Sequence, residues 1–99
     1  MNIQGDRTLQ EFRTTLSVGD VISAAKSFFA RRNSLYAAFV EKEGPTFVSL
    51  RGQGGEEVLI GAVPATDGAG TRVTGSTYLF DQQVARFFAT LPPAAEAVS

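Results

Sequence analysis

Residues 67–80, DGAGTRVTGSTYLF, combine a turn signal with a strand signal. The first four residues are of the types that close β-hairpins, and TRVTGSTYLF (71–80) is rich in the residues that strands favour. A glycine-rich loop holds phosphate where it joins a strand to a helix. Here Gly68 and Gly70 lie between two strand-like segments, and no phosphate-binding glycine motif surrounds them. The stretch therefore predicts a hairpin turn that leads into a strand.

Further strand-like runs precede this one, and turn residues bound each of them. They are LYAAFVEKE (35–43), TFVSLRG (46–52) and EVLIGAVP (57–64). Connections this short join neighbouring antiparallel strands, so with residues 71–80 the runs predict a four-stranded meander. The Thr-rich segment 7–16, with Phe12 and Leu16 on one side, predicts a fifth strand before the meander.

Two segments have helical periodicity. Ser17 is a predicted N-cap, and Asp20 adds negative charge to the first turn. Apolar residues then follow at helical spacing to about Arg31. Asp81 is predicted to cap a closing helix, QQVARFFATL (82–91), which ends before Pro92.

The elements follow in the order β-α-β-β-β-β-α, which predicts an α+β fold: an antiparallel sheet with two helices packed on one face. We expect one domain over residues 1–99, with an ordered core at about 7–91 and loose tails at 1–6 and 92–99. Gly75 lies inside the last strand, which indicates a bend, a bulge or a closely packed helix.

The composition limits the possible functions. The 99 residues contain no histidine and no cysteine, which excludes disulfides, thiol nucleophiles and Ser-His pairs. We expect no enzyme activity, no metal site and no cofactor. Nine basic and ten acidic residues give a net charge of −1, so we expect no nucleic-acid partner. No long apolar run and no secretory signal are present, so we expect no membrane association and a cytoplasmic location.

The order of elements, with GTRVTGSTYLF (70–80) leading directly into a closing helix, resembles that of Bet v 1-like or START-like helix-grip proteins and of one TATA-binding-protein repeat. The resemblance covers residues 7–91 as topology, without a diagnostic motif. It implies a small apolar or amphipathic ligand between the sheet and the helices. The closing helix of about three turns predicts a smaller cavity than those proteins enclose. The aromatic residues that would line the cavity, or simply form the core, are Phe28, Phe29, Phe39, Phe87 and Phe88.

The last strand carries Arg72, Thr74, Ser76 and Tyr78 on one side. If the helices cover the other side, which bears Val73, Thr77 and Leu79, these polar groups face outward. If they face inward, Arg72, Ser76 and Tyr78 line a small polar pocket with Tyr36. A proton-transferring enzyme that uses Tyr78 or Glu11 is a third possibility. Strand alternation alone does not choose between the two faces.

The runs 35–40 and 57–63 are apolar on both faces, whereas a sheet with helices on one side needs only one apolar face. The second apolar face therefore requires something that covers it. Three alternatives are the inner wall of a strongly curved sheet, a bound apolar ligand and another copy of the chain. Self-association is favoured because a core of this size is only marginally sufficient. The sequence therefore predicts a non-catalytic, homodimeric interaction or structural module, with a ligand-binding helix-grip protein as the alternative.

Overall fold

The computed structural model describes residues 8–30, 38–52, 54–55, 57–66, 70–78 and 80–94. These residues form, in chain order, β1 (Thr8–Thr14), α1 (Val18–Ala30), β2 (Ala38–Gly44), β3 (Phe47–Gly52), β4 (Glu57–Pro64), β5 (Thr71–Thr77) and α2 (Asp81–Ala89). The predicted α+β order is confirmed. All strand pairs are antiparallel, and the strands lie side by side in the order β1-β5-β4-β3-β2. The central strand of the sheet is therefore β4.

Both helices pack on the same face of this sheet. α1 contacts β2, β3 and β4, and α2 contacts β1 and β5. The covered face of β5 bears Val73, Gly75 and Thr77, all of which are buried. A Cβ atom on Gly75 would lie only 2.5 Å from Val84 Cγ1 of α2. Of the roles predicted for Gly75, the close approach of a helix is therefore the one that the structure shows.

The hairpin that precedes β5 has the glycine conformation that its sequence predicts. The amide of Ala65 donates to the carbonyl of Gly70 at 3.0 Å. Gly70 has φ of +88°, a left-handed conformation that side chains disfavour. Gly68 lies outside the described residues. Since this turn joins β4 to β5 rather than to a helix, it lacks the geometry of a phosphate loop.

The two helices begin differently. Ser17 Oγ accepts a hydrogen bond from the amide of Asp20 at 3.1 Å, so the predicted N-cap of α1 is confirmed. The prediction that Asp81 caps the closing helix is wrong, because Phe80 occupies that position without a side-chain cap bond. Phe80 is buried in the core, and its amide donates to Thr77 Oγ1 at 3.2 Å. Asp81 instead lies in the first turn, where its charge still favours the helix dipole.

The strand predicted at 7–16 ends at Thr14, where the chain meets a segment from near the C-terminus. The amide of Thr15 donates to the carbonyl of Pro92 at 3.1 Å, and the amide of Ala94 donates to the carbonyl of Arg13 at 3.0 Å. The buried Thr14 hydroxyl also donates to Pro92 at 2.7 Å. Residues 92–94, which the sequence assigns to a loose tail, are therefore bonded to the end of β1.

Candidate functional site: the open face of the sheet

Neither described helix packs against the opposite face of the sheet, although Ser49 on that face is buried among its neighbours. On β5, Arg72 is exposed and Ser76 is half-buried, in alternation with buried neighbours. Tyr78, which follows β5 directly, is exposed. The side chains of Arg72, Ser76 and Tyr78 therefore belong to the outward face. Of the two alternatives that the sequence left open, an outward polar face and an inward polar pocket, the structure has the first. We call this surface the open face.

Large apolar side chains are exposed on the open face. The register places Leu9 of β1, Ser76 of β5 and Leu59 of β4 side by side across three strands. Val63 lies on the same side of β4, four residues from Leu59. The exposed fractions of the apolar side chains on this face are Leu9 67%, Leu59 38%, Val63 39%, Phe39 53% and Tyr78 44%. Scattered exposed apolar residues are normal, but these share one face of one sheet.

Gly61 lies between Leu59 and Val63 on the outward side of β4 and contributes no side chain. A Cβ atom on Gly61 would lie 2.9 Å from Thr74 Oγ1, so the short Thr74 side chain borders this point on the β5 side. On the β3 side, the Phe47 ring extends over Gly44 of β2, where an added Cβ would lie 2.5 Å from Phe47 Cε1. The outward residues Leu59, Gly61 and Val63 thus form an uncharged stripe along the central strand, with the Thr74 side chain close to Gly61.

Charged groups lie on the strands that flank this stripe. On the β5 side, Arg72 Nη1 donates to Glu11 Oε2 at 2.6 Å. On the β3 side, Arg51 Nε donates to Glu41 Oε1 at 3.1 Å, and Arg51 Nη1 donates to the Gly55 carbonyl at 2.8 Å. The hydrogen bond and the charge of Glu41 raise the pKa of Arg51 above its usual value. An uncharged centre with ion pairs beside it is the pattern of many protein interfaces.

The structure separates the predicted ligand-binding residues into two groups. Phe28, Phe29, Phe87 and Phe88 lie on the helix side. By contrast, Phe39, Arg72 and Ser76 occupy outward strand positions, and Tyr78 is exposed just after β5. Ring centroids are 5.1 Å apart for Phe28 and Phe29, and 5.8 Å apart for Phe29 and Phe87. Phe29 and Phe87 are fully buried. These rings are thus part of the hydrophobic core, and Phe39 does not join them. Tyr36 lies outside the described residues.

Sequence reasoning missed Leu9, the most exposed large apolar residue that the structure describes. The signal was available, because Leu9, Glu11 and Arg13 share one side of a strand by their spacing of two. An open depression of about 190 Å³ lies at the same edge of the face, lined by Glu11, Phe12, Arg13 and Arg72. The sequence pattern does not reveal that β1 pairs with β5. This pairing brings Leu9 into one row with Leu59.

No family model, curated protein or solved structure matches this chain. The fold itself is a two-layer α+β sandwich, one layer being an antiparallel sheet with an open face. The resemblance to helix-grip proteins and to the TATA-binding-protein repeat stays a prediction. The described ranges contain no group of three or more His, Cys, Asp or Glu residues placed to hold a metal ion. Neither helix in those ranges has the length and apolarity needed to span a bilayer.

Proposed function

We propose that this protein is a small non-catalytic module that self-associates through the open face of its sheet and acts in protein interaction or as a structural unit. The observation that carries the proposal is the uncharged stripe of Leu59, Gly61 and Val63, extended by Leu9 through Ser76. Covering this stripe would add apolar burial that a core of this size supplies only marginally. A cytoplasmic location, expected from the sequence, is part of the same proposal.

The charges of the open face favour a second copy over a nucleic acid. Nucleic acids bind to surfaces on which cations are in excess, whereas Arg72 and Arg51 are each paired with a carboxylate of their own chain. The net charge of −1 adds little repulsion between two copies. A homodimer therefore brings the apolar side chains together while Arg51 and Arg72 keep carboxylate partners within their own chain.

The size of the face suggests a weak, reversible dimer. Five strands about 4.8 Å apart, with roughly seven residues each at about 3.4 Å, give a projected area of roughly 450 Å². A standard stable interface buries about 800 Å² on each partner. We therefore expect dimerisation at high micromolar concentration rather than a permanent dimer.

Sedimentation velocity over a concentration series tests the proposal. The mass should rise from the 10.5 kDa monomer towards twice that value. Leu59→Lys places a charge at the centre of the stripe and should raise the dimer dissociation constant by at least about tenfold, since an uncompensated charge in an interface core is costly. Because Leu59 points away from the core, the thermal midpoint measured on the dilute monomer should change little.

Ser23→Lys is the matched control, because Ser23 is exposed on α1, on the helix side of the molecule. This variant should dimerise like the unmodified protein. If the protein stays monomeric at every concentration, self-association is ruled out. If both lysine variants dimerise normally, the protein self-associates through a surface other than the open face.

A further inference from the structure

The two outer strands of the described sheet, β1 and β2, differ along their outer edges. An outer strand with free N–H and C=O groups is a template to which a strand of another copy can add. On β2 the register shifts between Val40 and Lys42, and residues 41–43 are all charged. A bulge and a run of charges both hinder the addition of a further strand. β1 lacks such a bulge, since its pairs with β5 run without a shift from Thr8 to Thr14.

The outer side of β1 is occupied at its C-terminal end by residues 92–94. Pro93 forms an antiparallel bridge with Thr14. On either side of this bridge, the amide of Thr15 and the carbonyl of Arg13 form backbone hydrogen bonds to residues 92–94, at 3.1 and 3.0 Å. Because β5 pairs with the inner side of β1, these bonds place residues 92–94 on the outer side.

Side-chain contacts also hold this segment in place. Thr14 is fully buried, and its hydroxyl donates to the Pro92 carbonyl at 2.7 Å. A buried hydroxyl is costly to leave without a hydrogen-bond partner. A Cβ atom on Gly70 would lie 3.2 Å from Ala94 Cβ, so the segment also packs closely against the hairpin that precedes β5. Residues 92–94 are therefore bound to the sheet by both backbone and side-chain contacts.

We propose that residues 92–94 are an edge guard, a segment that occupies the outer side of β1 and prevents a strand of another copy from pairing at this edge. In an antiparallel pair, the backbone groups of successive residues point alternately towards and away from the neighbouring strand. Since the Ala94 amide donates to β1, the backbone nitrogen of the exposed Pro93 faces outward. Proline has no N–H, so the edge guard offers no outward donor at Pro93. The edge guard acts independently of the proposed contact through the open face.

Pro93→Thr tests the edge guard, because it supplies the missing N–H and a side chain that strands favour. The substitution is made in the full-length Leu59→Lys chain, which weakens contact through the open face. In sedimentation velocity, the double variant should self-associate at concentrations at least about tenfold lower than Leu59→Lys alone, since two copies then exchange backbone hydrogen bonds at this edge. If the open face takes no part in self-association, the comparison of these two chains still reports on the edge alone.

Pro45→Thr in the same Leu59→Lys chain is the matched control, because Pro45 is an exposed proline in the turn between β2 and β3. It should leave self-association unchanged. Hydrogen exchange checks the edge guard itself: the amides of Thr15 and Ala94 should exchange at least about tenfold more slowly than in an unfolded chain. Unprotected amides at these two positions, equal association of the two threonine variants, or an unchanged association of folded Pro93→Thr would each overturn the proposal.

Discussion

Phe87→Ala is expected to lower the free energy of unfolding by about 3–5 kcal/mol, the usual cost of removing a buried phenylalanine ring. Phe87 is fully buried, and its ring contacts those of Phe28, Phe29 and Phe88, with centroids 5.5, 5.8 and 6.0 Å away. The ring links α2 to α1, so its loss leaves a cavity between the helices. Since small domains are stable by only about 5–15 kcal/mol, urea unfolding at neutral pH should show a much lower midpoint.

Phe39→Ala is the matched control, because it removes the same ring from the open face. Phe39 is exposed and lies opposite Arg51 of β3, so its removal should cost less than about 1 kcal/mol. Both variants are measured in dilute protein, where self-association does not contribute. Equal losses for the two variants would contradict the assignment of Phe87 to the core and of Phe39 to the surface.

Gly75→Ala is expected to lower the free energy of unfolding by about 1–3 kcal/mol, the typical cost of overpacking a core. The added methyl group would lie 2.5 Å from Val84 Cγ1 and 3.3 Å from Phe88 Cζ. Val84 has little rotamer freedom in a helix, so α2 must move away from the sheet. Urea unfolding measures the loss, and near-ultraviolet circular dichroism should report the altered packing of Phe88.

Gly19→Ala tests the same chemical change without the crowding. Apart from its chain neighbours and the backbone of its own helix, no atom lies within 4 Å of the position where its Cβ would be, and Gly19 belongs to the first turn of α1. Alanine is a better helix former, so this variant should gain up to about 1 kcal/mol. A loss at Gly19 similar to that at Gly75 would mean that contact with α2 is not what excludes a side chain at Gly75.

The element order was predictable because each element has its own local signal. The Ser17 cap was identified from two residues, since capping depends on neighbours in the chain. The Asp81 cap was predicted by the same rule and was wrong. There the burial of Phe80 and its bond to Thr77 place the helix start one residue earlier. The burial of Phe80 is a property of the tertiary structure, which the local capping pattern does not report.

The site was predictable only in part. Strand alternation placed Arg72, Ser76 and Tyr78 on one face, but it could not state which face the helices cover. The sequence pattern also placed Phe39 with the phenylalanines of the helices. An aromatic residue in a strand looks the same in the sequence whether its side chain faces the core or the solvent. The bonds of residues 92–94 to β1 join parts of the chain that are far apart in sequence, as the Thr14 contact with Pro92 shows.

By itself, the sequence determined the α+β class, the antiparallel strands and their order along the chain, because periodicity, caps and turns are local properties. It also excludes disulfides, thiol nucleophiles and histidine pairs among these 99 residues, since no histidine or cysteine is present. Tertiary structure alone decided the pairing of β1 with β5, which aligns Leu9, Ser76 and Leu59 in one row. It also decided which face the helices bury, because that choice follows from the summed packing of Gly75, Val84 and the phenylalanine rings rather than from any single stretch.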